Sequence, residues 1–202
     1  MISDRKTKAI PGSPRDNTLS PEPGEEAFSF REPRAEDGPA VTSLIAACPP
    51  LDTNSAYCNL LQCSDFADTC IIAERGGELM GWISAYRPPT RPGELFVWQV
   101  AVSEKARGQG LGGRMLDALL GRPATHGVTA LTTTVTPDND ASLAMFRSFA
   151  RRREAPLERT PRFDQQIHFA GAHATEWQIR IGPFHTQPAG DARPAKPEIS
   201  LS

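Results

Sequence analysis

The stretch of this sequence best suited to chemistry is Gln99-Val100-Ala101-Val102-Ser103-Glu104-Lys105-Ala106-Arg107-Gly108-Gln109-Gly110-Leu111-Gly112-Gly113. An apolar, strand-like run enters a glycine-rich turn that opens into a helical pattern. The first backbone N–H groups of a helix have no internal partner and carry the positive end of its dipole. Glycines let a pyrophosphate come close to those amides, so the turn is suited to holding a phosphorylated cofactor. Two other readings compete. One is a tight glycine turn with nothing bound, which leaves the cation at Arg107 without a purpose. The other is the dinucleotide fingerprint, which Gly108-x-Gly110-x-x-Gly113 satisfies. That pattern wants an acidic residue about 20 positions on. Here the next strand ends Thr132-Thr133-Thr134-Val135, with no acid at its tip.

A second set of residues could handle an amine or a carboxylate. Asp52, Thr53, Asn54 and Tyr57 precede a hairpin pattern, Trp98 sits in the central strand, and Asp164, His168 and Glu176 lie near the C-terminus. Each has a structural reading beside the functional one. Asp52 or Thr53 could cap a helix, Trp98 could be a core aromatic instead of a pocket wall, and His168 could be a surface histidine. The spacing of His168, His173 and Glu176 would allow a zinc ion. The cysteines Cys48, Cys58, Cys63 and Cys70 contain no C-x-x-C pair, which fits neither a zinc ribbon nor a secreted disulfide framework. They read as reduced thiols of a cytosolic protein.

The elements that must position these residues show in the periodicity. Ala35 to Ala47 is helical, with Val41, Leu44 and Ile45 on one face. Cys70 to Ala73, Gly76-Gly77 and Leu79 to Tyr86 form a hairpin whose glycines suit a tight primed turn. Glu94 to Val102 is a strand and Gly110 to Leu120 a helix carrying Leu111, Met115 and Leu119. Val128 to Val135 is a strand and Asp138 to Ala150 a helix. Thr175 to Ile181 alternates, with Trp177, Ile179 and Ile181 on one face. Interleaved strands and helices, with a hairpin among them, predict an α/β fold around a mixed sheet.

Composition bounds what the whole chain can be. Its 202 residues fit one domain with tails. A net charge of −2, from 22 basic and 24 acidic residues, argues against a nucleic-acid binder that works by bulk charge. No apolar run approaches the roughly 18 residues of a membrane span, and the first residues lack the apolar core of a secretory signal. Prolines cluster at both ends with little to bury, so residues 1–27 and 184–202 are expected to be disordered tails around a domain at 28–183. The run Arg151-Arg152-Arg153 reads as a solvated helix end.

Val100-x-Val102 followed by Arg107-x-x-Gly110-x-Gly112 resembles the coenzyme A motif of the GCN5-related N-acetyltransferases, and Asp138-Asn139-x-x-Ser142-x-x-x-Phe146 resembles their second motif. The resemblance implies a twisted mixed sheet whose central strand splays from its neighbour, with flanking helices and acetyl-CoA as cosubstrate. Val100 and Val102 would hold the pantetheine through their amides and polarise the thioester. The amides of Arg107, Gly108, Gln109, Gly110, Leu111 and Gly112 would cradle the pyrophosphate. Asn139, with Ser142 and Phe146, would meet the pantetheine arm.

Cys48 to Tyr57, Phe96 to Val102, Thr134 to Asn139, Phe163-Asp164, His168, His173 and Glu176 to Ile181 further resemble, in order, the diaminobutyrate acetyltransferases of ectoine synthesis. That branch acetylates the γ-amine of L-2,4-diaminobutyrate, and the resemblance suggests a cytoplasmic homodimer. An alkylammonium with a pKa of about 10 must lose a proton before it attacks, and a carboxylate or histidine can accept it. Asp52, Trp98, His168 and Glu176 are the catalytic candidates. Asp52, Thr53, Asn54, Tyr57, Trp98 and Asp164 are the candidates for substrate contacts. Acetyl transfer needs no metal, and none is expected. One departure stands out: the tyrosine that many relatives use to protonate the leaving thiolate is Phe146 here. A coenzyme A thiol has a pKa of about 8.5 on the cysteine model, so the thiolate can leave without a dedicated acid. An acetyltransferase for another small amine (a polyamine or an aminoglycoside) and an acetyl-CoA-binding regulatory module remain open alternatives.

Overall fold

The computed structural model describes residues 27–184. The expected tails lie outside the described residues except for Ala27 and Phe184. Seven strands form one sheet in the order β1-β2-β3-β4-β5-β7-β6. They are β1 (Ser29–Arg31), β2 (Ile71–Arg75), β3 (Glu78–Tyr86), β4 (Glu94–Val102), β5 (Ala130–Val135), β6 (Leu157–Phe163) and β7 (Glu176–Ile181). Helices α1 (Gly38–Ala46) and α2 (Ala56–Ser64) cover one face, and α3 (Leu111–Leu120) and α4 (Asp140–Arg152) cover the other. All pairings are antiparallel except β4 with β5.

Each face has its own core. Under α3 and α4 lie Leu111, Met115, Leu119, Phe146 and Phe149, packed on Ile83, Leu95, Val97 and Leu131. Under α1 lie Val41, Leu44 and Ile45 with Cys48, Cys63, Cys70, Ile72 and Trp82. Three of the four free cysteines are therefore core residues. Burial pushes the Cys70 thiol up to about 12 and that of Cys63 to about 11, so neither is a reactive thiolate.

The expected elements are present with small shifts at their ends. α4 starts at Asp140 because Asn139 caps it, its Oδ1 accepting from the Ser142 amide at 3.1 Å. α2, β1 and β6 were not expected. β6 is an exposed edge strand carrying Glu158, Arg159, Pro161 and Arg162, so it shows no apolar alternation. The domain also extends past the expected boundary. Phe184, assigned to the tail, is 4 % exposed and meets the Phe149 ring edge-on at 5.9 Å. Its amide donates to Thr129 O at 2.8 Å. Before it, Gly182 sits at φ +141°, where a Cβ would lie 2.7 Å from Thr129 O, so only glycine lets the chain close the core there.

Two irregularities in β4 open the sheet on one side. Val97 pairs with Ala85 and Gln99 with Ser84, which leaves Trp98 as the extra residue of a bulge. The bulge resets the alternation: Leu95 and Val97 face α3 and α4 before it, Val100 and Val102 after it. Moreover, β4 pairs with β5 only at Glu94, Leu95 and Phe96. Beyond Phe96 the strands part, and β5 continues against β7 alone.

Candidate active site

The gap between β4 and α4 is a cleft of about 540 Å³, walled by Val100 and Val102, the Arg107–Gly113 turn, and Asn139, Ser142, Met145, Ser148 and Arg152 of α4 and its cap. Cys48 to Leu51 close one end. Its glycines do two kinds of work. Gly108 and Gly110 have φ of +75° and +67° with open space where a Cβ would be, so they serve the turn's conformation and the approach of a ligand. Gly112 and Gly113 serve packing: a Cβ would lie 2.5 Å from the Met145 sulfur at the first and 3.0 Å from the Arg152 guanidinium at the second. Among the described residues, the amides of Gly108 to Gly113 have no hydrogen-bond partner. The cleft lining contains two arginines, Arg107 and Arg152, and no carboxylate. Unpaired amides, a helix N-terminus and two cations fit a pyrophosphate. The unpaired side of β4 beside them fits an extended arm that completes the sheet.

Gln109 and Leu111 were expected to offer backbone amides, and those amides are free in the turn whatever their side chains do; Phe146 is the expected contact that misses the cleft. The Gln109 side chain points away, accepting from Arg75 and donating to Lys105 O. Leu111 lines the cleft but is 1 % exposed and belongs to the core. Phe146 is 2 % exposed, lies in the same core, and does not line the cleft. Arg152 is exposed at the end of α4, as expected, and also borders the cleft. Asp117 holds it there at 3.1 Å.

Across the splay, three ionisable groups meet. His173 Nε2 lies 3.9 Å from Glu176 Oε1 and 4.0 Å from Asp52 Oδ2. His173 Nδ1 sits 2.8 Å from Ala174 O, which can only accept, so Nδ1 carries a proton and Nε2 faces the carboxylates. Glu176 Oε2 is buried without a partner. Burial raises the pKa of Glu176, while the nearby Thr134 and His173 act against it. The histidine in the cluster is thus His173, not His168. His168 is exposed, and its Nδ1 accepts from the Asp164 amide at 2.7 Å. Asp164 in turn accepts from the amides of Gln166 and Ile167. Both residues shape the β6–β7 turn, and they lack the contacts that Asp52, His173 and Glu176 make with one another.

The segment carrying Asp52 is fixed by a polar network that the sequence pattern did not suggest. Gln99 of β4 donates to Asp52 O at 2.7 Å and accepts from Asn54 Nδ2 at 2.9 Å. Asn54 also donates to Asn59, which donates to Thr42. Asn54 is therefore committed to positioning the loop. Neither Asp52 nor Thr53 caps α2; Ser55 does, accepting from the Cys58 amide at 3.1 Å. The Asp52 carboxylate is free to meet a ligand, at 84 % exposure. Thr53 and Tyr57 are exposed beside it. Trp98, 48 % exposed, is a pocket wall and not a core aromatic: it borders a second cavity of about 450 Å³ on the α2 side of the sheet. The available signal for the network was Gln99 itself, an amide in the middle of an apolar strand.

Residues 39–150 match the Acetyltransferase (GNAT) family. The L-2,4-diaminobutyric acid acetyltransferase of Methylotuvimicrobium alcaliphilum is 51 % identical over 157 residues, 78 % of this chain and 91 % of that protein. The enzyme of that name from Vibrio parahaemolyticus is 45 % identical over 166 residues, 81 % of this chain and 92 % of that protein. Among solved structures, the diaminobutyrate acetyltransferase of Paenibacillus lautus, in complex with L-2,4-diaminobutyric acid and coenzyme A, superposes with a TM-score of 0.76. It is 40 % identical and covers 80 % of this chain and 98 % of its own. Ard1 of Thermoplasma volcanium, 17 % identical with a TM-score of 0.61, shares the fold. The splayed sheet, the glycine turn and these likenesses agree: the chain belongs to the GNAT acetyltransferase family, within its L-2,4-diaminobutyric acid acetyltransferase branch.

Proposed function

We propose that this protein transfers the acetyl group of acetyl-CoA to the γ-amine of L-2,4-diaminobutyrate, giving N4-acetyl-L-2,4-diaminobutyrate for ectoine synthesis and osmoprotection. The observation that carries the reading is a glycine-turn cleft with unpaired amides on one side of the splay in the sheet and a half-buried carboxylate on the other. Acetyl-CoA supplies an activated acetyl thioester: the amine nitrogen attacks its carbonyl carbon, the C–S bond breaks and the thiolate leaves. The amides of the Gly108–Gly113 turn, with Arg107 and Arg152, hold the phosphates. The free side of β4 at Val100 and Val102 aligns the arm, and Asn139 and Ser142 border it.

The remaining residues act on the amine. Glu176 takes its proton, directly or through water, because a carboxylate whose pKa is raised by burial is a stronger base than an ordinary one. His173 bridges Glu176 and Asp52 and orients both. Asp52 receives the α-ammonium, Trp98 walls the chain between the two amines, and Thr53 and Tyr57 border the entrance. Tyr57, Leu60 and Ile167 expose apolar surface suited to a homodimer contact. Four free thiols suit the reducing conditions of a cytoplasm.

The deciding experiment measures acetyl-CoA consumption with L-2,4-diaminobutyrate, putrescine, spermidine and an aminoglycoside, and locates the acetyl group by NMR. Turnover fastest on diaminobutyrate, with the γ-nitrogen acetylated, is expected. Faster turnover on a polyamine or aminoglycoside would overturn the reading, and binding of coenzyme A without turnover on any amine would leave a regulatory module.

A further inference from the structure

Arg162 is a cation without a carboxylate. Pro161 pairs with Trp177 and Phe163 with Glu176, so Arg162 is the extra residue of a bulge in β6, one step from the register position of Glu176. Its guanidinium stacks 5.0 Å from the ring centres of both Phe96 and Phe163. Its only hydrogen bond among the described residues is a long one, 3.4 Å to Gln178 Oε1. Arg31, Arg91, Arg152, Arg153 and Arg180 each pair with an acid; among the described residues Arg162 does not.

The charge opens on the cavity of about 450 Å³ that Trp98 borders. Phe66, Tyr86, Phe96 and Phe163 make its sides aromatic. Gln62 and Ser84 also line it, and the Ser84 hydroxyl, which can donate to a carboxylate, is buried without a partner. Buried polar atoms are nearly always hydrogen-bonded, so this floor is shaped for a polar occupant. Thr134 links the cavity to the acidic cluster, since it lines the one and lies near enough to Glu176 in the other to favour its charged form.

We infer that this cavity is the acceptor's α-carboxylate subsite and that Arg162 holds the carboxylate. The inference rests on the proposed transfer to an α-amino acid and names the group that selects one. A guanidinium is a planar fork that matches a carboxylate through two parallel hydrogen bonds. Stacked on two rings, it is already fixed in place, so little side-chain entropy is lost on binding. Among the described residues Arg162 is the one cation in the lining of this cavity, and nearby Arg180 is engaged with Glu94 and Gly182 O. The substrate then has three attachments, its carboxylate at Arg162, its α-ammonium at Asp52 and its γ-amine at Glu176. Selection falls on diamino acids over plain diamines.

The test compares L-2,4-diaminobutyrate with 1,3-diaminopropane, which is the same molecule without its carboxylate. In Arg162→Met, the KM for diaminobutyrate should rise about 10- to 100-fold, the range of a hydrogen bond to a charged group. Loss of uniform binding leaves kcat nearly unchanged. The calorimetric affinity of 1,3-diaminopropane for the coenzyme A complex should change less than threefold. Arg162→Lys, which keeps the charge and loses the fork, should fall between, and it serves as the test should the methionine variant not fold. A folded variant with the wild-type KM overturns the subsite, as does an equal loss on both acceptors. Failure of the proposed function looks different: the wild-type enzyme itself would not acetylate diaminobutyrate.

Discussion

Glu176 combines two properties that usually conflict, burial of one carboxylate oxygen without a partner and proximity to a histidine. Its raised pKa has consequences for rate and for stability, in opposite senses. Activity should rise with pH as Glu176 loses its proton, along a limb placed above the ordinary glutamate value of about 4.3. Glu176→Gln keeps the shape and removes the base; kcat should fall roughly 100- to 10,000-fold, and the limb should vanish from the pH profile. For stability, the folded state holds this proton more tightly than the unfolded one. That contribution is complete below the unfolded pKa and is lost as pH rises through the folded pKa. Glu176→Gln should therefore melt higher than wild type at pH 8 and match it at pH 4. Melting curves at the two pH values check this, and a variant no more stable at pH 8 would mean that Glu176 is not destabilised by its burial. The roles of single residues were only partly legible in the sequence. Asp52 and Glu176 were both candidates from the sequence and the fold brings both against His173, but the choice between His168 and His173 was not open to sequence reasoning. Both lie in one loop, and only its fold directs the second towards Glu176.

At the scale of elements, the turn into α3 ties function to backbone conformation. Gly110 sits in the left-handed region with open space around it, where asparagine and aspartate are the least strained replacements. Gly110→Asn and Gly110→Asp should thus fold alike, and comparing them isolates charge. The aspartate should raise the KM for acetyl-CoA at least about 100-fold over the asparagine, because like charges in an interface cost several kcal/mol. Equal KM values would remove the phosphates from this turn. The helix behind it makes a different point. Phe146 reads in the sequence as a cofactor contact, yet α4 turns it into the core. Phe146→Tyr should lower stability by about 1–3 kcal/mol, the cost of a buried hydroxyl without a partner, and thermal unfolding would register a drop of several degrees. An unchanged melting temperature would show that the new hydroxyl reaches the cleft. The strands β2 to β5 and the helices α3 and α4 were legible because burial on one face imprints a period. β6, with Pro161 and two arginines on an exposed edge, has no such imprint, and neither does the bulge at Trp98. A bulge is set by pairing with β3, and the sequence of β4 alone does not contain it.

For the whole molecule, the sheet is complete on one side of β4 and incomplete on the other. A ligand that fills the gap binds only the folded state, so coenzyme A at 100 times its dissociation constant should stabilise the protein by about 2.7 kcal/mol. A melting temperature that ignores saturating coenzyme A would contradict the site. The two cores on either face also differ in what they surround. The α1 side carries the Asp52 loop through Asn54, Gln99 and Asn59, and the α3–α4 side carries the phosphate cleft. The Asp52 loop and the glycine-turn cleft thus lie on opposite faces of the sheet, and Cys48 to Leu51, just before Asp52, border the cleft.

The half of β4 beyond Phe96 is an edge strand enclosed within a sheet. Edges expose backbone groups that seek a partner, and deuterium reads that state directly. Without ligand, amides of β4 that point towards the gap should exchange with solvent deuterium as fast as those of a sheet margin. Those of Glu94 to Phe96, where β5 lies against β4 and Phe96 pairs with β3 as well, should exchange more slowly. Coenzyme A should erase the difference, leaving a protection footprint confined to a few consecutive residues of one strand. Such a footprint would follow cofactor occupancy amide by amide, with no acceptor present and no turnover taking place.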